Sequence, residues 1–235
     1  MKKTFLLGLL FILTFILPTL SKESTEKAPP LYLQPESIAL AQILPPPPEE
    51  NSAKTKDDLA SVLDHQKNRT PLEVARAKSE VKLKVFVFSD VIGSWFIDKN
   101  LPLTARFFDS INNDSHFISE SAKKTWNRPR PPVNHPQITP AVELENNSSY
   151  PSGHSTRGTL YALILADLFP HLKEKLFARG RQIGDDRVIA GAHYPSDVEA
   201  GRVLGQALYV KLSENPKFKS DLENVREEIE AASKK

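Results

Sequence analysis

Hydrophobic positions along the chain fall into blocks separated by proline-rich or polar punctuation, and most blocks have the length and spacing of helices. The first is different: an apolar run from Phe5 to Leu17, preceded by Lys2-Lys3 and followed by Pro18-Thr19-Leu20-Ser21. That order of charged, apolar and small-residue segments predicts a secretory signal peptide over 1–21. About thirteen apolar residues is short of the roughly 20 that a spanning helix needs. Residues 22–55 read as a proline-rich arm, because Pro29-Pro30, Pro35 and Pro45 to Pro48 favour extended backbone. The apolar cluster Ile38 to Leu44 predicts that this arm packs on the body, which is expected to be a single helical domain over 56–235.

Within that body, Thr70-Pro71-Leu72-Glu73 is a capping box with proline at the first helical position. The mostly apolar residues through Trp95 and Phe96 predict one long buried helix, although the alternation of Val81, Leu83, Val85 and Val87 fits a strand as well. Shorter helices are expected over 103–112 and 115–126. Thr156 to Phe169 is strongly apolar and closed by Pro170; helices over 173–190, 196–212 and 217–232 complete the set. The last carries Phe218, Leu222, Val225 and Ile229 on one face. That stripe could dock on the chain's own body or on a second copy, leaving a homo-oligomer open. The pattern is that of an all-α, single-domain helical bundle.

Composition narrows the partners. The chain has 31 basic and 29 acidic residues, and Lys2 and Lys3 of the leader take the rest to 29 against 29. No basic stripe argues for nucleic acid. No later segment is long and apolar enough to span, so no stable membrane insertion is expected once the leader is cleaved. There is no cysteine, which removes thiolate metal sites, disulfides and cysteine nucleophiles. An exported chain without disulfides fits a bacterial periplasm.

Three segments carry chemistry. Tyr150-Pro151-Ser152-Gly153-His154-Ser155 sets a hydroxyl, a glycine amide and an imidazole just ahead of an apolar helix. A helix N-terminus seats anions, and a histidine there can exchange a proton with the bound group. Upstream, Lys123 lies near a helix end, and Pro129 and Pro131 hold Arg130 on stiff extended backbone, with Arg128 nearby. An ammonium and a guanidinium make a phosphate clamp, and equally an ordinary solvated loop. Downstream, Arg187 stands in an apolar stretch and needs an anionic partner, either a carboxylate or a ligand. Asp197 follows His193 by four residues; it could take the Nδ1 proton, cap the next helix, or do both.

Taken together, Lys123-x6-Arg130-Pro131, Pro151-Ser152-Gly153-His154 and Arg187-x5-His193-x3-Asp197 resemble the three-part motif of the type 2 phosphatidic acid phosphatase superfamily, to which vanadium haloperoxidases also belong. The exported form and the segment Ile43 to Ser52 are similar to class A bacterial nonspecific acid phosphatases. The resemblance implies hydrolysis of small-molecule phosphate monoesters with no cofactor and no metal ligand set. In that pattern His193 is the nucleophile, Asp197 holds its ring, and His154 is the acid and then the base. Lys123, Arg130, Ser152, Gly153 and Arg187 would hold the phosphate. Asp186 departs from the family's serine before Arg187, and a carboxylate there would repel phosphate unless turned away or paired. A vanadium-dependent haloperoxidase and a noncatalytic oxyanion-binding envelope protein are the alternative readings.

Overall fold

The computed structural model describes residues 29–234, and the expected leader lies outside them. Among the described residues there is no strand. The helices are α1 Leu40–Ile43, α2 Ala53–Asn68, α3 Pro71–Ser79, α4 Ser89–Ile92, α5 Pro102–Trp126, α6 Pro131–Asn134, α7 Gly153–Leu168, α8 Lys173–Ile189, α9 Pro195–Glu214 and α10 Pro216–Ala232. No helix among the described residues is long and apolar enough to cross a membrane.

The bundle is organised around α7, which is apolar on nearly every side and therefore belongs at the centre. It lies between α8 and α9, with α5 on a further side. Missing side chains permit the close approach. A Cβ on Gly158 would stand 2.8 Å from the Gly180 carbonyl oxygen, and one on Gly201 would stand 2.5 Å from that of Ser152. Any larger residue would push α8 or α9 off α7. These contacts fix the N-terminal end of α7 relative to both neighbours.

The arm packs on the body. The buried Asp114 carboxylate on α5 accepts hydrogen bonds from the backbone N–H groups of Leu31, Tyr32 and Leu33 at 2.7–3.0 Å. Burial raises the Asp114 pKa, and the three amides oppose that rise. Further along, the Tyr150 hydroxyl donates to the Pro45 carbonyl at 2.6 Å, tying the arm to the residue before Pro151. The α10 stripe docks internally: Phe218, Val225 and Ile229 are buried in the core, and α10 packs against α5.

Two sequence expectations change. The long helix through Phe96 does not form; α3 stops at Ser79, and Val85–Phe88 is a short 3-10 turn before α4. Leu83 and Val85 are buried while Lys82 and Lys84 are exposed, an alternation confined to 82–85; Val81 is exposed and Phe88 is buried from the 3-10 turn. The two helices expected over 103–126 are one 25-residue helix, α5. Asp114, in the middle of that helix, turns its carboxylate to the arm. Left-handed backbone at Asn127 (φ 42°) then ends α5.

Candidate active site

Ser152 is the N-cap of α7, its hydroxyl accepting from the Ser155 N–H. Gly153 and His154 therefore sit in the first turn of the helix, where backbone N–H groups have no helical acceptor and the dipole favours an anion. Lys123 is in the last turn of α5, Arg130 is the residue before α6, and Arg187 is in the last turn of α8. His193 lies between α8 and α9, and Asp197 lies in the first turn of α9. All eight residues proposed from sequence are buried, and the fold brings them to one end of the α7–α8–α9 core.

The hydrogen bonds fix the protonation pattern of both imidazoles. Arg130 Nη1 lies 3.2 Å from His193 Nε2. A guanidinium can only donate, so Nε2 carries a lone pair and Nδ1 carries the proton. That Nδ1–H faces the Ser149 hydroxyl at 3.2 Å, and Ser149 donates in turn to Asp197 Oδ2 at 2.5 Å. The direct Nδ1 to Oδ2 separation is 3.5 Å, so Asp197 holds the ring chiefly through Ser149. The same carboxylate accepts from the Tyr194 N–H at 2.8 Å, so it does cap the start of α9 as well. His154 Nε2 lies 3.0 Å from the Glu80 carbonyl oxygen. A carbonyl can only accept, so Nε2 keeps its hydrogen and Nδ1 is the nitrogen that gains or loses a proton.

Burial pushes both histidines well below the usual range. Arg187, Arg157 and His193 add to this at His154, and Arg130, Lys123 and Arg187 at His193. Asp197 is raised by burial and held back by Arg128, Ser149 and the Tyr194 amide. Lys123 is lowered to about 8 and Arg187 to about 10, in each case first by burial and next by the Arg130 charge. The resting site is thus an electropositive pocket with two neutral imidazoles.

The cations differ in what they touch. Lys123 donates to the Ser148 carbonyl at 2.6 Å and the Asn147 side-chain oxygen at 3.2 Å. Arg130 donates to the Asn147 carbonyl and side-chain oxygen and to the Ala192 carbonyl. Arg187 is buried, and its Nε and Nη1 have no hydrogen-bond partner. Of the two partners the sequence allowed it, the carboxylate is missing among the described residues. An open cleft of about 570 Å³, lined by Arg130, Glu145, Asn147 and Ser148 among others, borders this end of the molecule. Among the described residues no group of three or more His, Asp or Glu could hold a metal ion.

Asp186 does not face the phosphate seat as a free charge. Its carboxylate is fully buried and takes two hydrogen bonds from Arg76 of α3, both at 2.6 Å.

A PAP2 superfamily model matches residues 114–213, which covers all eight site residues. A non-specific acid phosphatase from Salmonella typhimurium is 33% identical over 228 residues, 92% of this chain and 91% of that protein. The chain belongs to the PAP2 superfamily. A non-specific acid phosphatase from Providencia stuartii is 30% identical over 215 residues, 86% of each chain. A bacterial vanadium-dependent iodoperoxidase superposes with a TM-score of 0.50 at 18% identity, covering 75% of this chain and 53% of that one; this supports the fold only. Within the PAP2 superfamily the chain is a phosphoric monoester hydrolase.

Several residues that shape this PAP2 site were either not singled out from sequence or were expected in another role. Ser149 bridges His193 and Asp197. Arg128, expected beside the phosphate clamp, points instead to Asp197 at 2.7 Å and Asp58 at 3.2 Å, stacked 4.2 Å above the Tyr194 ring. Ser196 completes that cluster by bonding Arg128 and Asp58. Asn147, Glu80 and Arg157 were also missed. The motif spacing could have flagged Ser149, three residues ahead of Ser152, and Arg157, one turn beyond Gly153. Nothing in the sequence marks Glu80, whose contribution is a carbonyl.

Proposed function

We propose that the chain is an exported, metal-independent phosphatase that hydrolyses phosphate monoesters through a phosphohistidine at His193. The observation that carries this reading is the orphaned guanidinium of Arg187, buried and electrostatically felt by both histidines. A buried cation without a partner is costly, and a bound dianion would relieve it. The transferred phosphoryl group would take charge from Arg187, Lys123 and Arg130, and hydrogen bonds from Ser152 and the Gly153 amide.

The Nε2 lone pair of His193 suits it for in-line attack on phosphorus once the substrate draws Arg130 away. The positive charge that then forms on the ring would be shared through Ser149 with Asp197. The bound dianionic ester would bring a proton onto His154 Nδ1; the leaving oxygen would take that proton, and the same nitrogen would afterwards remove one from the attacking water. An acceptor alcohol in place of water would give phosphotransfer. The motif-like leader and the absence of cysteine support a periplasmic location.

Turnover of an aryl phosphate in excess EDTA, competitive inhibition by vanadate, and an acid-labile, base-stable phosphoenzyme absent from His193→Ala are the expected results. Full activity in His193→Ala would remove the nucleophile. Peroxide-dependent halide oxidation by the vanadate-loaded chain, with no ester turnover, would favour the haloperoxidase reading. Cell fractionation with and without residues 1–21 tests the export.

A further inference from the structure

We propose that Arg157 is a specificity-determining residue, selecting phosphate monoesters whose leaving group carries a second anionic group close to the scissile oxygen. The inference rests on the reading of His154 as the acid that serves the leaving group. Arg157 follows His154 by three residues and Gly153 by four, so all three share one face of α7. The rise between His154 and Arg157 is only about 4.5 Å. Side chains on a helix lean toward its N-terminus, and Arg157 does so: a Cβ on Gly153 would lie 3.5 Å from its Nη1. Its guanidinium is thus folded back over the turn that carries the anion-binding amides.

Arg157 Nε is buried and has no hydrogen-bond partner. Its charge is felt at His154, Arg187 and Glu145, which places it at the same pocket. Glu145 is the acidic side chain in that set; it is 58% exposed and lies 3.5 Å from Arg130 Nη2. Burial pulls the Glu145 pKa up, but Lys123, Arg157, Asn147 and Arg130 outweigh it and hold the carboxylate below its usual range. The pocket therefore has more cationic capacity than one transferred phosphoryl group requires. Lys123, Arg130 and Arg187 already serve that group. The surplus sits next to His154, where the leaving group departs.

In the reaction, the bond from His193 Nε2 to phosphorus forms as the ester P–O bond breaks. The electron pair goes to the leaving oxygen, which takes the His154 proton. Arg157 makes and breaks no bond; it neutralises a carboxylate on the departing alcohol.

The test compares phosphoglycolate with 2-hydroxyethyl phosphate, which differ by a carboxylate against a hydroxymethyl group. In Arg157→Ala the ratio of their kcat/KM values should fall about tenfold or more, the effect of losing a hydrogen bond to a charged group. Arg157→Lys should restore part of the ratio, and the vanadate inhibition constant should move less than threefold in both. An unchanged ratio overturns the assignment. So does a parallel rise in the vanadate constant, which would put Arg157 in the transferred-phosphoryl cage. Calorimetric binding of the two esters to His193→Ala reads the same preference without turnover. A chain that hydrolyses no ester would therefore defeat the phosphohistidine mechanism, whereas a missing binding preference would defeat the Arg157 assignment. A thermal melt of each variant confirms folding.

Discussion

Replacing Ser149 by alanine removes the hydroxyl between His193 Nδ1 and Asp197 Oδ2 and leaves both end groups in place. Asp197 keeps Arg128 at 2.7 Å and the Tyr194 N–H at 2.8 Å, so the carboxylate should not move. Its direct distance to Nδ1 is 3.5 Å, which at an effective dielectric constant near 20 still gives a gross attraction of about 5 kcal/mol for the imidazolium. What is lost is the hydrogen-bonded link to a charged group, worth about 1.5–3 kcal/mol. At 1.36 kcal/mol per decade, kcat for an aryl phosphate should fall roughly 10- to 150-fold. KM should change little, because no phosphate-binding group is touched. Asp197→Asn should cost more than Ser149→Ala, since it removes the attraction as well as the link. Steady-state kinetics with a thermal melt as folding control measures this. A Ser149→Ala enzyme with kcat within threefold of the parent would refute the bridge as the route by which Asp197 acts.

Three further outcomes follow from the packing and charge of the site. Arg76→Met should destabilise the fold by about 3–5 kcal/mol by leaving buried Asp186 unpaired, whereas Asp186→Ser should cost less and leave kcat/KM unchanged, because Arg76 can reach water; urea titration and kinetics decide, and equal stability of Arg76→Met and parent contradicts the pairing. His154 and His193 are both held neutral by burial and neighbouring cations, and a bound anion should draw a proton onto His154 Nδ1 while His193 keeps its Nε2 lone pair: vanadate inhibition, corrected for vanadate's own titration, should tighten from pH 7 to pH 5 by up to about tenfold per unit. Their depressed folded-state pKa values also mean that stability is fully present above about pH 6.5 and is lost as pH falls, so the rise in Tm given by vanadate should widen on acidification; a flat response counts against both statements. Gly201→Ala forces its new methyl within 2.5 Å of the Ser152 carbonyl; a loss of about 1–3 kcal/mol with a fall in kcat is expected, and a variant with parental Tm and kcat would show that α9 yields freely.

The chemistry-bearing residues were legible because they cluster in three short segments whose spacing is itself informative. The residues that orient them were not, for a physical reason in each case. Arg128 meets Asp197 across 69 residues, and Arg76 meets Asp186 across 110. A sequence pattern read in local windows cannot see pairings of that range. Glu80 serves His154 through its carbonyl, free for that contact because α3 has ended at Ser79. Residue type says nothing about such a role. A long helix through Phe96 was expected because the segment is mostly apolar, and α3 nevertheless ends at Ser79. α5 runs unbroken through 112–115, where the sequence reading divided it; Asp114 there turns its carboxylate to the amides of Leu31, Tyr32 and Leu33.

The glycine seams between α7 and its neighbours bear on how this protein tolerates change. Where backbone lies against backbone, no rotamer can rearrange to absorb a distortion, so the first turn of α7 moves only if a whole helix moves. Adaptation to new esters should therefore accumulate at the rim, in side chains such as Arg157 and Glu145 that swing without disturbing the frame. A random library selected for altered substrate range should return the seam glycines unchanged and spend its variation around the mouth.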